Sequence, residues 1–355
     1  MPGEILSKYK KSTRKHKWFL VIVSFLTVLV CIYSLLSGAS DIGIGHIIDL
    51  LRGSSDSISW QVLIQIRLPR VIAALLSGAA LAVSGAVIQS LLRNPLASPF
   101  TLGISSASAF GAAFAIIVLG AGSSYSSSFD IHAINNPYVL TISAFLWSLV
   151  SVAVVLALSK YRGATPEIII LSGIIISSLF GAGLSAMQYF SDSVQLASIV
   201  FWTFGDLGRG SWNEVIIIVA VVVPVLLYFI SQGWNYKALR SGDEYAASLG
   251  VNVNRVRLMG MLAASLVTAV VVSFYGIIAF IGLVVPHIVR RIAGTDENFL
   301  IPASALFGAL FLLLSDTLAR TIITPVVMPV GILTSFIGAP LFLFLLVRGM
   351  KKGYW

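Results

Sequence analysis

Long apolar runs separated by basic residues fill this chain, and the placement of the cations restricts how the runs can be arranged. The sequence holds 23 lysines and arginines, almost all at the ends of apolar runs. With a cytoplasmic N-terminus and alternating crossings, 18 of the 23 fall inside, and five (Arg52, Arg67, Arg70, Arg209 and Arg320) fall outside. Short cytoplasmic loops are enriched in Lys and Arg, so this split sets the orientation. The five external arginines then call for their own explanation.

Hydrophobic residues make up 57% of the chain and charged ones only 10%, against about 25% charged in ordinary soluble domains. The solvent for such a chain is lipid. The +9 formal charge is scattered over segment ends, which argues against nucleic acid as a partner. Six basic residues (Lys8, Lys10, Lys11, Arg14, Lys15, Lys17) precede the first run, Trp18 to Leu36. That run is too long for a signal-peptide core and lacks a clear small-residue cleavage site, so it reads as a retained helix. The single cysteine, Cys31, lies within it, which excludes a disulfide framework and a cysteine metal site.

A crossing needs about 20 largely apolar residues. The candidates are Trp18–Leu36, Val71–Leu92, Leu102–Gly120, Val139–Leu158, Ile168–Met187, Val215–Ile230, Ile301–Ala319 and Val330–Val347. Leu258–Val289 is long for one crossing and short for two. A single crossing would worsen the charge split to 14 inside against 9 outside, so two are expected, broken near Gly276, the second running on through Arg290 and Arg291. The sum is ten helices with both termini cytoplasmic: an all-α polytopic membrane protein, one transmembrane domain over 1–355 with its bundle at 17–350. Ser37–Arg70, with amphipathic character around Ile44–Leu51, Gly122–Pro137 and Ser191–Trp212 are external loops, and 232–257 is the largest internal one. Small residues recur along the spans: Ser77-Gly78-Ala79-Ala80, then Ser84-Gly85-Ala86 seven residues on. They predict close helix–helix approach in lipid.

No catalytic constellation appears. There is no His/Cys/Asp cluster at metal spacing and no G-x-x-x-x-G-K-[ST] phosphate loop, so no cofactor or metal is expected on this chain. Acidic groups at mid-membrane depth, which mark ion-coupled pathways, are also lacking. Asp316 and Arg320 share a helix face at i, i+4 spacing and can pair, and His287 reads as a packed histidine beside Pro286. In the internal loop, Ser241 with Glu244 three residues on reads as a capping box, and Gly250 as a left-handed C-terminal residue. Asp243–Leu249 is therefore a two-turn cytoplasmic helix offering Tyr245, Ala246 and Leu249 for docking. It is too short to stand alone.

Arg67-Leu68-Pro69-Arg70, the run Ser77 to Gly85, Asn94-Pro95-Leu96-Ala97 and Leu102-Gly103 together resemble the FecCD-type permeases. Ala247 to Val251, Phe280 to His287, Asp316 to Arg320, Pro329 to Thr334 and Gly338-Ala339-Pro340 extend the resemblance over nearly the whole chain. These are the membrane subunits of type II ABC importers for ferric siderophores, haem and vitamin B12, multi-pass proteins of the bacterial cytoplasmic membrane. The resemblance implies ten helices, a second permease subunit (a second copy or a paralogue), two ATPase subunits that hold the ATP and Mg, and an extracytoplasmic substrate-binding protein. It assigns docking of that protein to Arg67, Arg70 and Arg320, with Arg67 and Arg70 in a non-helical turn at the outer mouth. It assigns the ATPase contact to Ser241, Asp243, Glu244, Tyr245, Ala247, Leu249 and Gly250. It assigns the pathway to the fifth helix, with Ser172, Ser177, Ser178, Ser185 and Gln188. Ferric siderophore is the expected cargo. Haem or cobalamin in the same fold, or an autonomous secondary transporter, are the competing readings.

Overall fold

The protein is described by a computed structural model that covers residues 2–37, 60–121, 136–162, 165–324 and 326–350. The amphipathic stretch at Ile44–Leu51, Arg52, most of the Gly122–Pro137 loop, and Lys351 and Lys352 lie outside the described residues. The described residues are helical, with no strand among them. In chain order the helices are α1 (Pro2–Leu36), α2 (Leu68–Leu91, entered through a π-helical turn Val62–Arg67), α3 (Ile104–Ile117), α4 (Pro137–Arg162), α5 (Pro166–Phe190), α6 (Ser193–Thr203), α7 (Trp212–Ser231), α8 (Gly233–Arg240), α9 (Asp243–Ser248), α10 (Val253–Tyr275), α11 (Ile281–Ala293), α12 (Glu297–Thr321) and α13 (Val330–Met350).

Among the described residues, seven helical segments are long and apolar enough to cross a bilayer: Arg14–Leu36, Val62–Leu91, Pro137–Ser159, Pro166–Phe190, Trp212–Ser231, Val253–Tyr275 and Glu297–Thr321. Residues 104–117 and 193–203 form shorter apolar helices, and α13 is apolar over 330–345. The expected break within Leu258–Val289 is present: α10 stops at Tyr275, Gly276 takes φ 74°, and α11 starts at Ile281 and runs through Arg290 and Arg291 to Ala293. The second arm has 13 residues, which at 1.5 Å per residue is about 20 Å. It is short because 276–280 is non-helical and packs on other backbone. A Cβ on Gly276 would meet the Trp202 carbonyl, and Asp206 N donates to Tyr275 O at 2.8 Å.

Burial sorts the helices into layers. Within the apolar window of each span, 83% of the residues of Val62–Leu91 are buried, against 11% in α1 and 22% each in α5 and α7. α2 is central because it is apolar all round and studded with small residues, the pattern of a helix enclosed by other helices. Gly78 and Gly85 lie two turns apart on one face. A side chain on Gly78 would strike the carbonyl of Gly308 in α12, and one on Gly85 the carbonyl of Gly282 in α11. The backbones touch there, which only glycine permits.

Further starts follow from local chemistry. Asp192 and Gln195 form a capping box that begins α6, and Ser211 with Glu214 forms another that begins α7. The Ser191–Trp212 loop therefore contains a helix of its own, in addition to the turn at Leu207–Arg209.

Candidate functional sites at the two ends of the bundle

The structure brings charged residues together at both ends of α2. At the first end lies Asp316, fully buried. Arg70 Nε donates to both its carboxylate oxygens at 3.0 Å, and Arg70 Nη2 donates to Oδ1 at 2.8 Å. Arg320 Nε approaches Oδ2 at 3.2 Å, and Asp206 Oδ1 lies 3.4 Å from Arg70 Nη2. One buried carboxylate thus serves two guanidiniums, while a second, 33% exposed, flanks them. Arg67 and Arg320 turn to the end of α1. Arg67 Nη1 donates to the carbonyls of Leu35 and Leu36 at 2.8 Å each. Arg320 donates to Ser34 O, Ser34 Oγ and Ser37 O at 3.2, 2.6 and 3.2 Å. The last carbonyls of a helix have no intrahelical donor and carry partial negative charge, so cations belong there.

This corrects the expected geometry of Arg67 and Arg70. They do not flank a non-helical turn: Arg67 closes the π-helical turn, Pro69 occupies the first turn of α2, and the chain is helical throughout. Proline is tolerated in a first turn because its missing N–H would have no partner. The three guanidiniums are also largely enclosed, with Arg70 keeping the widest opening. Arg67 is 4% and Arg320 7% exposed, and the Arg70 side chain is 11% exposed.

At the second end stand α8 and α9. α8 is absent from the sequence reading, and it changes the role of Ser241. Ser241 N bonds back to Ala238 O at 3.1 Å, so Ser241 closes α8, and Gly242 (φ 124°) precedes α9 without a side-chain cap. No capping box with Glu244 forms. The helix Asp243–Ser248 and the left-handed Gly250 (φ 82°) match the expectation. On α9 the exposed side chains are Glu244, Tyr245, Ala247 and Ser248, followed by Leu249 and Gly250. Ala246, expected to offer docking surface, is instead fully buried against the bundle. An exposed Tyr and Leu on a two-turn helix form a small apolar patch on rigidly anchored backbone.

The anchors are ionic. Arg257 Nη2 holds both oxygens of Asp243 at 2.9 and 3.0 Å, and Arg93 Nη2 lies 3.5 Å from Asp243 Oδ1. Arg240 Nη1 donates to Thr295 O at 2.9 Å and to Glu297 Oε1 at 3.3 Å. Lys237 Nζ pairs with Asp296 at 2.9 Å. Burial pushes the Asp296 carboxyl up, but the Lys237 ammonium and the Asn298 N–H outweigh burial and leave it below its ordinary value. Arg257 and Glu297 were not singled out from sequence. The available signal was weak: a cation one residue before the apolar run at Leu258, and an acid four residues before that at Ile301.

α5 has one open face. Leu171, Ile174, Ile175, Ser178, Leu179, Ala182, Ser185 and Tyr189 are exposed and recur every three to four residues. Of the expected pathway residues, Ser178 and Ser185 lie on this face and Gln188 is half-buried. Ser172 is buried and Ser177 half-buried, both turned toward the bundle. Helical spacing explains the division, since positions 172 and 177 fall off the 171–178–185 stripe. Among the described residues no group of three or more His, Cys, Asp or Glu could hold a metal ion.

The FecCD transport family matches residues 26–348. A hemin transport system permease of Yersinia pestis is 36% identical over 94% of this chain and 97% of its own length. An Fe(3+)-citrate import system permease of Bacillus subtilis is 38% identical over 97% of this chain and 99% of its own. A vitamin B12 import system permease of Vibrio vulnificus is 35% identical over 95% and 96%. A solved metal-chelate type ABC transporter in an inward-facing conformation superposes with a TM-score of 0.80 at 32% identity, covering 93% of this chain and 98% of that one. With its buried central helix, its anchored short helices at one end and its full-length match, the chain belongs to the FecCD family of ABC importer permeases, which serves iron chelates, haem and vitamin B12.

Proposed function

We propose that this chain is one of two permease subunits of a ferric-chelate importer, with a siderophore complex as cargo. The match over 26–348 carries this reading, because its relatives are named for large metal-bearing ligands. The chain sits in the cytoplasmic membrane with ten crossings, α13 and the shorter α3 and α11 joining the seven long spans, and with both termini inside. The α8–α9 end faces the cytoplasm and the Asp316 end faces outward. The charge split supports this, since Lys237, Arg240, Arg255 and Arg257 gather at one end.

In this reading two ATPase subunits, holding ATP and Mg, dock on Glu244, Tyr245, Ala247, Leu249 and Gly250, with Ser241 at the edge and Asp243 anchoring the helix from behind. The open face of α5 lines the pathway opposite the second permease subunit. The extracytoplasmic binding protein docks at the Asp316 end. There Arg70 is the cation that a docking carboxylate reaches, in competition with Asp316, while Arg67 and Arg320 hold α1 beneath it. The test has two parts. Tagged permease should co-purify with an ATPase subunit, and Ala247→Arg should release that subunit while the permease still elutes as a folded species. Uptake of a 55Fe-labelled siderophore should resist competition by hemin and cobalamin. An undiminished ATPase yield with Ala247→Arg refutes the docking surface, and competition by hemin or cobalamin reassigns the cargo.

A further inference from the structure

Three consecutive residues in the last turn of α2 are held by three different helices. Gln89 Nε2 donates to Gly282 O at 3.2 Å, and Gln89 Oε1 accepts from Arg290, both in α11. Ser90 Oγ lies 2.9 Å from Glu297 Oε1, at the start of α12. Leu91 O accepts from Arg257 Nε of α10 at 3.3 Å. Two of these contacts continue outward. Arg257 passes on to Asp243, the first residue of α9, and Glu297 passes on to Arg240, the last residue of α8. Both short helices are therefore tied, through one side chain each, to adjacent residues of one turn of α2.

The ties run through groups that are costly to bury. Glu297 is fully buried and Arg257 is 5% exposed. Burying an ion is unfavourable unless it is paired and hydrogen-bonded, and a neutral contact would join α9 to the bundle more cheaply. What the ionic ties provide is direction. A guanidinium fork fixes two partners at once in a plane, and Arg257 uses it to hold the Asp243 carboxylate and the Leu91 carbonyl together. α2 itself has 24 residues, about 36 Å at 1.5 Å per residue, and reaches Arg70 and Asp316 at its far end.

We propose that Arg257 and Glu297 are positioning residues that fix α8 and α9 to the last turn of α2, so that a displacement of α9 moves α2. This inference rests on the reading of α9 as the ATPase contact. A loose loop would absorb such a displacement. A bidentate ionic tie transmits it to the most enclosed helix of the bundle, whose other end carries the Asp316 cluster.

The test uses the full permease–ATPase complex in nanodiscs, with Arg257→Gln, Arg257→Lys, Glu297→Gln and Ser90→Ala. The last removes one hydroxyl and stands in for Glu297→Gln if that variant does not accumulate. The readouts are ATPase subunit retained per permease, kcat and KM for ATP hydrolysis, and the spectrum of a nitroxide on Ser248→Cys in a Cys31→Ser background. Arg257→Gln, and Glu297→Gln or Ser90→Ala, should retain the ATPase, leave KM for ATP unchanged, shift kcat by about threefold or more and give a more mobile nitroxide. Arg257→Lys should fall between, because an ammonium keeps the charge opposite Asp243 but not the fork. Wild-type kcat and spectrum in Arg257→Gln and in Glu297→Gln or Ser90→Ala would overturn the proposal, and so would loss of the ATPase from Arg257→Gln to the level of Ala247→Arg. Failure of the docking reading looks different: Ala247→Arg itself would retain the ATPase.

Discussion

Asp316→Asn is the sharpest perturbation of the buried cluster at Arg70 and Arg320. The carboxylate accepts three hydrogen bonds from Arg70, at 2.8 to 3.0 Å, and faces Arg320 at 3.2 Å, all in a site where Asp316 has no solvent exposure. Asparagine keeps one acceptor oxygen and turns an NH₂ toward a guanidinium. Removing one partner of a buried ion pair costs about 3–5 kcal/mol, because the other charge remains buried. Asp206, 3.4 Å from Arg70, takes up part of the uncompensated charge, so the low end applies, about 3 kcal/mol. That is roughly two orders of magnitude in the folded-to-unfolded ratio. At about 2 °C per kcal/mol for a large domain, it lowers Tm by about 6 °C. The assay is fluorescence-detected size exclusion of detergent-solubilised protein after a heating series. Asp206→Asn is the control: its pair is longer and partly exposed, worth about 0–1 kcal/mol, so its Tm should move by less than about 2 °C. Arg70→Met combined with Asp316→Asn should recover part of the loss, since it removes one of the two guanidiniums left without the carboxylate, while Arg320 keeps its acceptors at Ser34 and Ser37. A Tm for Asp316→Asn within 1 °C of wild type, or a double variant no better than the single, refutes the reasoning.

Gly85→Val should prevent accumulation of folded protein, since its side chain would occupy the position of the Gly282 carbonyl, whereas Gly181→Val, with nothing within 4 Å of its Cβ position, should accumulate normally; whole-cell fluorescence of a GFP fusion reads both. A membrane-impermeant maleimide applied to intact cells should label Ser191→Cys and miss Ser241→Cys in a Cys31→Ser background, and the reverse pattern overturns the orientation. The Lys237–Asp296 pair contributes above the unfolded carboxyl pKa and is lost as pH falls through the lowered folded value. Lys237→Met should therefore be slightly less stable than wild type near neutral pH, and the gap between the two melting curves should start to close only as pH falls below about 4 and vanish below the lowered folded value; a gap independent of pH contradicts the linkage.

Much of the bundle was legible because lipid imposes one strong rule: runs of about 20 apolar residues cross, and cations mark their ends. The small-residue repeat at Ser77 and Ser84 correctly announced the contacts at Gly78 and Gly85, because seven residues are two turns. The break near Gly276 was readable from run length and the placement of cations, and the turn at Gly250 from its glycine. What stayed hidden depends on neighbours distant in sequence. The cations at Arg67 and Arg320 read as surface charges until the end of α1 supplied carbonyls for them, some thirty and some 280 residues away. Ser241 read as the start of a helix because nothing local announces that α8 has just ended on it. The serines of α5 divided between two faces by angle, which a list of polar residues does not carry.

α1 illustrates how packing and attachment can diverge. Only 11% of the residues in its membrane window are buried by the rest of the chain, so much of its surface is left to lipid, while Phe19, Leu20, Val30 and Leu35 pack on the core. Its end is another matter: the carbonyls of Ser34, Leu35, Leu36 and Ser37 are the acceptors for Arg67 and Arg320. Cutting α1 away would lose the contacts of Phe19 and its neighbours and would also strip two cations of acceptors that lipid hydrocarbon cannot supply. The helix is moored by its tip, free to be solvated along its length and indispensable at one end, so truncations that spare residues 34–37 and those that remove them should differ in kind rather than in degree.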